Sequence, residues 1–207
     1  MMKQKKFNFH TDPQYTLDHY IISQHNQEAF EWLYNISFWK NDATVKGCML
    51  IAEQGAGKSH LASILLSCSD DVKIYDGNIQ YQRSPFDFND RVILIDDAHH
   101  IQPIWLFNLY NHVLSYGGKL LLFSSHYPKE WNELKDLDSR IATLQYFSID
   151  TPDDEAMLLI IKSILKRQGY HVTDRILKKI RPSINRSFKS LASIVDEIKM
   201  MLAEKNK

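Results

Sequence analysis

Hydrophobic positions along the chain follow two regimes. Up to about residue 150, short apolar runs alternate with stretches of helical period. Gly47-Cys-Met-Leu-Ile-Ala52, Arg91-Val-Ile-Leu-Ile-Asp96 and Lys119-Leu-Leu-Leu-Phe-Ser-Ser125 are apolar without alternation, which predicts strands buried on both faces. Val72-Lys-Ile-Tyr75 predicts a short strand, and Leu144 to Ile149 a further one. Asn26 to Tyr34 predicts a helix, with Ala29, Phe30 and Leu33 at helical spacing and Asn26 as its cap. Ser59 to Leu66 and Ile104 to Tyr116 predict two more. Strands alternating with helices imply an α/β fold with a parallel sheet covered on both faces. Asp150-Thr-Pro-Asp-Asp-Glu155 ends this regime. There Pro152 suits a first helical position after Thr151, with acids in the first turn. Beyond it only helices are predicted, over about 153–168, 173–181 and 187–204. The chain therefore divides into an extended tail (1–14), an α/β core (15–150) and a small all-helical unit (151–207).

Composition narrows the function classes. Among 207 residues, Lys+Arg and Asp+Glu both total 25, so the formal net charge is zero. A dedicated DNA binder normally shows a basic face, so little direct DNA binding is expected. Cys48 and Cys68 form no C-x-x-C pair, which fits a reduced compartment. Met1-Met2-Lys3-Gln4-Lys5-Lys6 is basic but no apolar stretch of signal-peptide type follows, and no run is long enough to span a bilayer. A cytoplasmic protein without membrane contact is expected.

The strongest chemistry lies in A52-E-Q-G-A-G-K-S-H-L-A62. A phosphate loop needs small residues so that backbone N–H groups converge on phosphates, a lysine for the β/γ-phosphates and a hydroxyl for Mg²⁺. Gly55, Ala56 and Gly57 keep the backbone open, while Lys58 and Ser59 supply charge and hydroxyl. The helix that follows directs its N-terminal dipole at the anion. Ala52 departs from the G-x-x-x-x-G-K-[ST] pattern, at the point where strand passes into loop. Downstream, the apolar run ending in Asp96-Asp97 has the logic of a buried strand delivering a carboxylate to Mg²⁺. Asp96 is the metal-side candidate and Asp97 the water-polarising one. His99-His100 follows without metal-ligand spacing to any partner and reads as a helix entry.

Together, Gly55-Ala-Gly-Lys-Ser-His-Leu61 and Ile95-Asp-Asp97 resemble the AAA+ ATPases of the DnaA group. Asp12-Pro-Gln-Tyr-Thr-Leu-Asp-His-Tyr-Ile-Ile22, continued by Asn26-Gln-Glu-Ala29, resembles the segment preceding the DnaA core. Ser124-Ser-His-Tyr-Pro-Lys-Glu-Trp131 resembles the stretch carrying sensor 1. Asp136-Leu-Asp-Ser-Arg-Ile141 resembles the box carrying the arginine finger, and Asn185-Arg186 the sensor 2 position in a helical lid. The extent of the chain and Leu106-Phe-Asn-Leu-Tyr-Asn111 resemble the Hda-like regulators of DnaA. Their clamp-binding motif is similar to Gln4-Lys-Lys-Phe-Asn-Phe9 in Gln4, Phe7 and Phe9, with Lys5 and Lys6 as departures. A glutamine with aromatic anchors on a tail also suits a hydrophobic pocket physically.

The resemblance implies ADP or ATP with Mg²⁺, held by residues 55–60, with His60 included, and by Ser59 and Asp96 at the metal. Tyr20, Ile21 and Ile22 would pack near adenine, and Arg186 would reach from the lid. Arg140 would act in trans on ATP bound to DnaA. DnaA and the polymerase sliding clamp are the implied partners, and a homodimer stays open. His126 stands where DnaA has the sensor 1 aspartate, and it lacks that fixed negative charge, so self-hydrolysis is left open. Two other readings remain: a helper ATPase binding single-stranded DNA, and an adaptor whose nucleotide is purely structural.

Overall fold

The structure, a computed structural model, describes residues 15–131, 133–173, 176–177 and 188–204. Five strands, β1 (Gly47–Ala52), β2 (Val72–Asp76), β3 (Val92–Asp96), β4 (Lys119–Ser124) and β5 (Gln145–Ile149), form one sheet. The order is β2-β3-β4-β1-β5, and every neighbouring pair is parallel. The helices are α1 (Gln27–Tyr34), α2 (Ile36–Trp39), α3 (Lys58–Cys68), α4 (Pro103–Ser115), α5 (Pro128–Trp131), α6 (Lys135–Ile141), α7 (Asp154–Arg167) and α8 (Leu191–Glu204). No helix among the described residues is long and apolar enough to cross a membrane.

The unalternating runs have the predicted cause. Cys48, Leu50 and Ala52 of β1 join one hydrophobic cluster with α1, α3, α7 and α8. Met49 and Ile51 point the other way, into a second cluster with α4 and α6. Each residue meets a covered face, so none needs to be polar. The β5 edge strand shows the contrast: Phe147 and Ile149 are buried, whereas Gln145, Tyr146 and Ser148 are exposed.

Chain order fixes where a site can form. From β1 the chain crosses to the far edge at β2 and returns through β3 and β4. From β4 it continues in the same direction past β1 to β5, opposite to the crossing that left β1. The reversal falls between β1 and β4, and open α/β sheets bind ligands in the crevice beyond such carboxyl ends. At the opposite end, Gly47 (φ 141°) sits so close to β4 that a Cβ would lie 1.8 Å from the Leu120 carbonyl oxygen.

Two helix starts differ from expectation. Asn26 occupies the cap position of α1 but makes no capping bond. Its side chain instead accepts from the Ser23 amide (2.9 Å) and donates to the Ile21 carbonyl (2.9 Å), fixing the segment ahead of the helix. Pro152 lies before α7 rather than in it; Asp153 is the cap, its carboxylate accepting from the Ala156 amide at 2.7 Å. A carboxylate satisfies an orphan amide, which proline's fixed φ does not. Of the helix expected over 173–181, only residues 176–177 are described, and they are helical.

Candidate functional site

Ala52 belongs to β1, pairs with Ile149 and is buried. The first position of the loop pattern is here strand, which asks nothing of glycine. The left-handed backbone comes later, at Gly55 (φ 86°) and Gly57 (φ 94°), and Gly57 caps α3. The Lys58 ammonium is buried and donates to the carbonyls of Ala52 (2.8 Å) and Glu53 (3.2 Å). Burial lowers its pKa, while the negative charges of Asp96 and Asp97 act against that shift.

Ser59 Oγ donates to Asp96 Oδ2 at 2.7 Å, joining α3 to the end of β3. Burial raises the Asp96 pKa; the Ser59 bond lowers it and the Asp97 charge raises it further. A buried carboxylate paired with one hydroxyl, beside a second acid, is a donor set that suits Mg²⁺. Asp97 holds a left-handed backbone (φ 53°), the one non-glycine among the described residues with positive φ. Its amide donates to Asp96 Oδ1 at 3.1 Å. Gly77 packs against it so closely that a Cβ would lie 2.2 Å from the Asp97 carbonyl oxygen. Gly77→Ala is therefore expected to displace Asp97 and destabilise the fold by about 1–3 kcal/mol, measured by thermal melts.

Around the loop lies a cleft of about 580 Å³, a volume suited to a small ligand. One wall is Tyr20 and Ile21 with His60, whose Nε2 donates to the Thr16 carbonyl at 2.8 Å. That bond places the proton on Nε2, and burial lowers the His60 pKa. The His60 ring sits 5.2 Å from Tyr15 and 5.0 Å from Tyr20. A second wall is one stripe of α7 (Ile160, Ser163, Ile164 and Arg167), tied to the first where Ser163 Oγ donates to the His19 carbonyl at 3.3 Å, and Phe188 and Leu191 also line the cleft.

The expected residues divide as follows. Tyr20, Ile21, Gly55, Ala56, Gly57, Lys58, Ser59, His60 and Asp97 line the cleft, with Asp96 bonded just behind Ser59. Ile22 does not line it: the extended segment turns successive side chains apart, and Ile22 is 43% exposed. Gln4, Phe7, Phe9 and Arg186 lie outside the described residues. The α7 stripe was missed as site, because its i, i+3, i+4, i+7 spacing reads equally as core. The histidine pair was also read too narrowly. His126 lines the cleft, with its ring 4.5 Å from His99, which in turn lies 4.2 Å from His100. Even so, the histidines are not joined by enough further ligands to hold a metal by themselves: no group of three or more His, Cys, Asp or Glu side chains among the described residues is arranged to do so.

Arg140 stands apart from this cleft. On α6, Leu137 and Ile141 are buried in the second cluster, which turns Arg140 to the exposed side. Its guanidinium lies 5.9 Å from the Phe107 ring and 6.0 Å from the Tyr110 ring of α4. Thr143 donates to the Arg140 carbonyl at 2.7 Å and, with its proton so used, accepts from the Tyr110 hydroxyl at 2.6 Å. The Leu106–Asn111 run thus forms the bed on which the arginine helix rests.

No family model matches the chain. In sequence it is 21% identical over 230 residues to the chromosomal replication initiator protein DnaA of Ureaplasma parvum serovar 3. That match covers 94% of this chain and spans half the length of the relative. Among solved structures, domain III of the Thermotoga maritima replication initiation protein DnaA superposes with a TM-score of 0.77 at 16% identity. It covers 95% of this chain and 92% of that one. The replication initiator DnaA bound to AMPPCP and single-stranded DNA gives 0.73 at 18% identity, over 94% and 69% of the two chains. The chain is similar to DnaA in sequence over 94% of its length and has the AAA+ P-loop fold of DnaA domain III.

Proposed function

We propose that this chain is an Hda-like regulator of replication initiation: it holds an adenine nucleotide, docks on the sliding clamp and promotes hydrolysis of ATP bound to DnaA. The carrying observation is the separation of Arg140 from its own cleft. An exposed arginine held on an aromatic bed, outside the lining of its own cleft, suits insertion into a neighbour's site. There the guanidinium stabilises charge on the transferring phosphoryl group. In its own cleft the loop amides and Lys58 bind phosphates, and Tyr20 and Ile21 pack beside the base; Arg186, outside the described residues, is assigned to the same nucleotide. Ser59 and Asp96 would hold Mg²⁺, which would supply positive charge to offset that of the phosphates. Asp97 would orient water if the site turns over.

The decisive assay measures hydrolysis of DnaA-bound ATP on clamp-loaded DNA, with and without this chain, and with Arg140→Ala; undiminished stimulation by that variant overturns the reading. Clamp docking is assigned to Gln4, Phe7 and Phe9. Deleting residues 1–9 is expected to abolish capture by immobilised clamp while leaving the melting temperature unchanged; full retention would move the contact elsewhere.

A second reading, a helper ATPase on single-stranded DNA, draws on the DnaA relative solved with single-stranded DNA. It requires affinity that falls steeply with salt. The zero net charge favours the first.

A further inference from the structure

A second groove, of about 610 Å³, runs between α1, α2 and the edge strand β5. The apolar part of its lining is aromatic. Trp32 and Trp39 stack at 4.5 Å, 2° from parallel, and Trp32 lies 5.2 Å from Phe147. The Trp39 indole N–H donates to the Trp32 carbonyl at 2.7 Å, which fixes the pair. Phe38 also lines the groove and is 79% exposed. The charged part is acidic: Glu28, Glu31 and Asp42, with no Lys or Arg beside them. Glu31 accepts from the Gln27 side-chain amide at 2.7 Å, and Asp42 from the Thr44 amide and hydroxyl at 2.8 and 2.7 Å. These donors are neutral and offset little of the negative charge. None of the three acids forms an ion pair with a described residue. Lys119 acts on Asp42, but it is buried and its ammonium donates to the Asp42 and Val45 carbonyls.

We infer that this groove binds residues 3–9 of the same chain, Lys3-Gln-Lys-Lys-Phe-Asn-Phe9, and so withholds them from other partners.

Charge and ring content point to that occupant. The segment carries three lysines and two phenylalanines, and no acid precedes Asp12. In an extended segment Lys5, Phe7 and Phe9 share a face. That face sets an ammonium among the carboxylates and two rings against the tryptophans, where lysine also gains from the ring faces. A second copy meeting this patch across a two-fold axis would set acid against acid, so an isologous contact is disfavoured. Reach is sufficient. The described chain starts at Tyr15, whose ring lies 5.2 Å from His60; His60 lies 5.0 Å from Tyr20, and Tyr20 stacks at 5.8 Å on Phe30 of α1. The tail therefore enters beside the helix that lines the groove. The residues between Phe9 and Tyr15 reach about 20 Å when extended, more than the length of α1, about 12 Å.

The inference stands without the clamp reading but adds a regulation to it. Phe7 and Phe9 are the residues assigned to the clamp, so the clamp has to draw them out of the groove. Docking by so few terminal residues leaves the bound and released tail close in free energy. It comes apart well below the global melt, and the melting temperature does not report it.

The test replaces Phe7 by benzoylphenylalanine in the full chain and irradiates it at low protein concentration and low salt. Mass spectrometry is expected to find the main cross-link within one chain, on Trp32, Phe38 or Trp39. Glu28 and Glu31 are exposed, so a Glu28→Lys/Glu31→Lys variant keeps its core. Its cross-link yield is expected to fall by about fivefold or more. Salt at about 1 M, which shortens the screening length to about 3 Å, should lower the yield in the unmodified chain. Phe38→Ala is expected to lower it by loss of ring contact. Cross-links on other faces, a groove cross-link that joins two chains, or an unchanged yield in both variants overturns the inference. Capture by immobilised clamp separates the two readings. A groove cross-link in a chain that the clamp never captures leaves the groove standing and brings down the clamp assignment. Capture without a groove cross-link does the reverse.

Discussion

Arg140→Ala is expected to leave the chain folded and able to bind nucleotide, yet to cut its stimulation of DnaA-bound ATP hydrolysis by about 10³–10⁵-fold, the range for an arginine supplied in trans. The asymmetry follows from position. Arg140 is exposed, and its side chain contributes only a cation–ring contact of about 0.5–1 kcal/mol to its own fold. Leu137 and Ile141, which hold α6 down, are untouched by the substitution. Arg140→Lys is an informative companion: it keeps the charge but loses the planar fork, so stimulation should stay well below that of the unmodified chain. Single-turnover hydrolysis on clamp-loaded DNA measures both. Stimulation by the alanine variant equal to that of the unmodified chain would overturn the assignment of Arg140 as the group acting in trans.

Gly47→Ala is expected to cost about 2–6 kcal/mol, combining backbone strain at positive φ with forced repacking. A Cβ there would meet the Leu120 carbonyl oxygen at 1.8 Å, together with the Leu120 carbonyl carbon at 2.7 Å and nitrogen at 2.9 Å. These are backbone atoms of a central strand, so no rotamer change relieves the clash. Gly47 pairs with Leu120, and the Leu120 amide donates to the Lys46 carbonyl at 3.1 Å, so the displacement strikes the first rung of β1 on β4. Denaturant unfolding followed by circular dichroism should show a much lower midpoint. A change under 1 kcal/mol would mean that the strands separate readily here.

The central strands β1, β3 and β4 were legible because they are buried on both faces, and continuous apolar runs have few other causes. The turn between β1 and α3 was legible because its signals are local: Gly55, Gly57, Lys58 and Ser59 fall within five successive residues. The doubt over Ala52 dissolved once that residue proved to be strand. What stayed hidden is what strand adjacency assembles. His126 meets His99 only because β3 and β4 are neighbours, an order that no residue pattern in either strand specifies. The α7 stripe escaped for another reason, since a helix face lining a cleft and one packed in a core share one period. Pro152 misled because the neighbouring Asp153 supplies a better cap.

The two hydrophobic clusters make the sheet a partition. The helices that close over the cleft, α7 and α8, press on one face, while the arginine-bearing α6 rests on the other. Rearrangement of those closing helices around a ligand can therefore proceed without loosening the bed beneath Arg140. In β1 the two sides meet within a single strand, residue by residue. Cavity-forming substitutions there would address them separately: Leu50 on the side of the closing helices, Met49 on the side of the arginine.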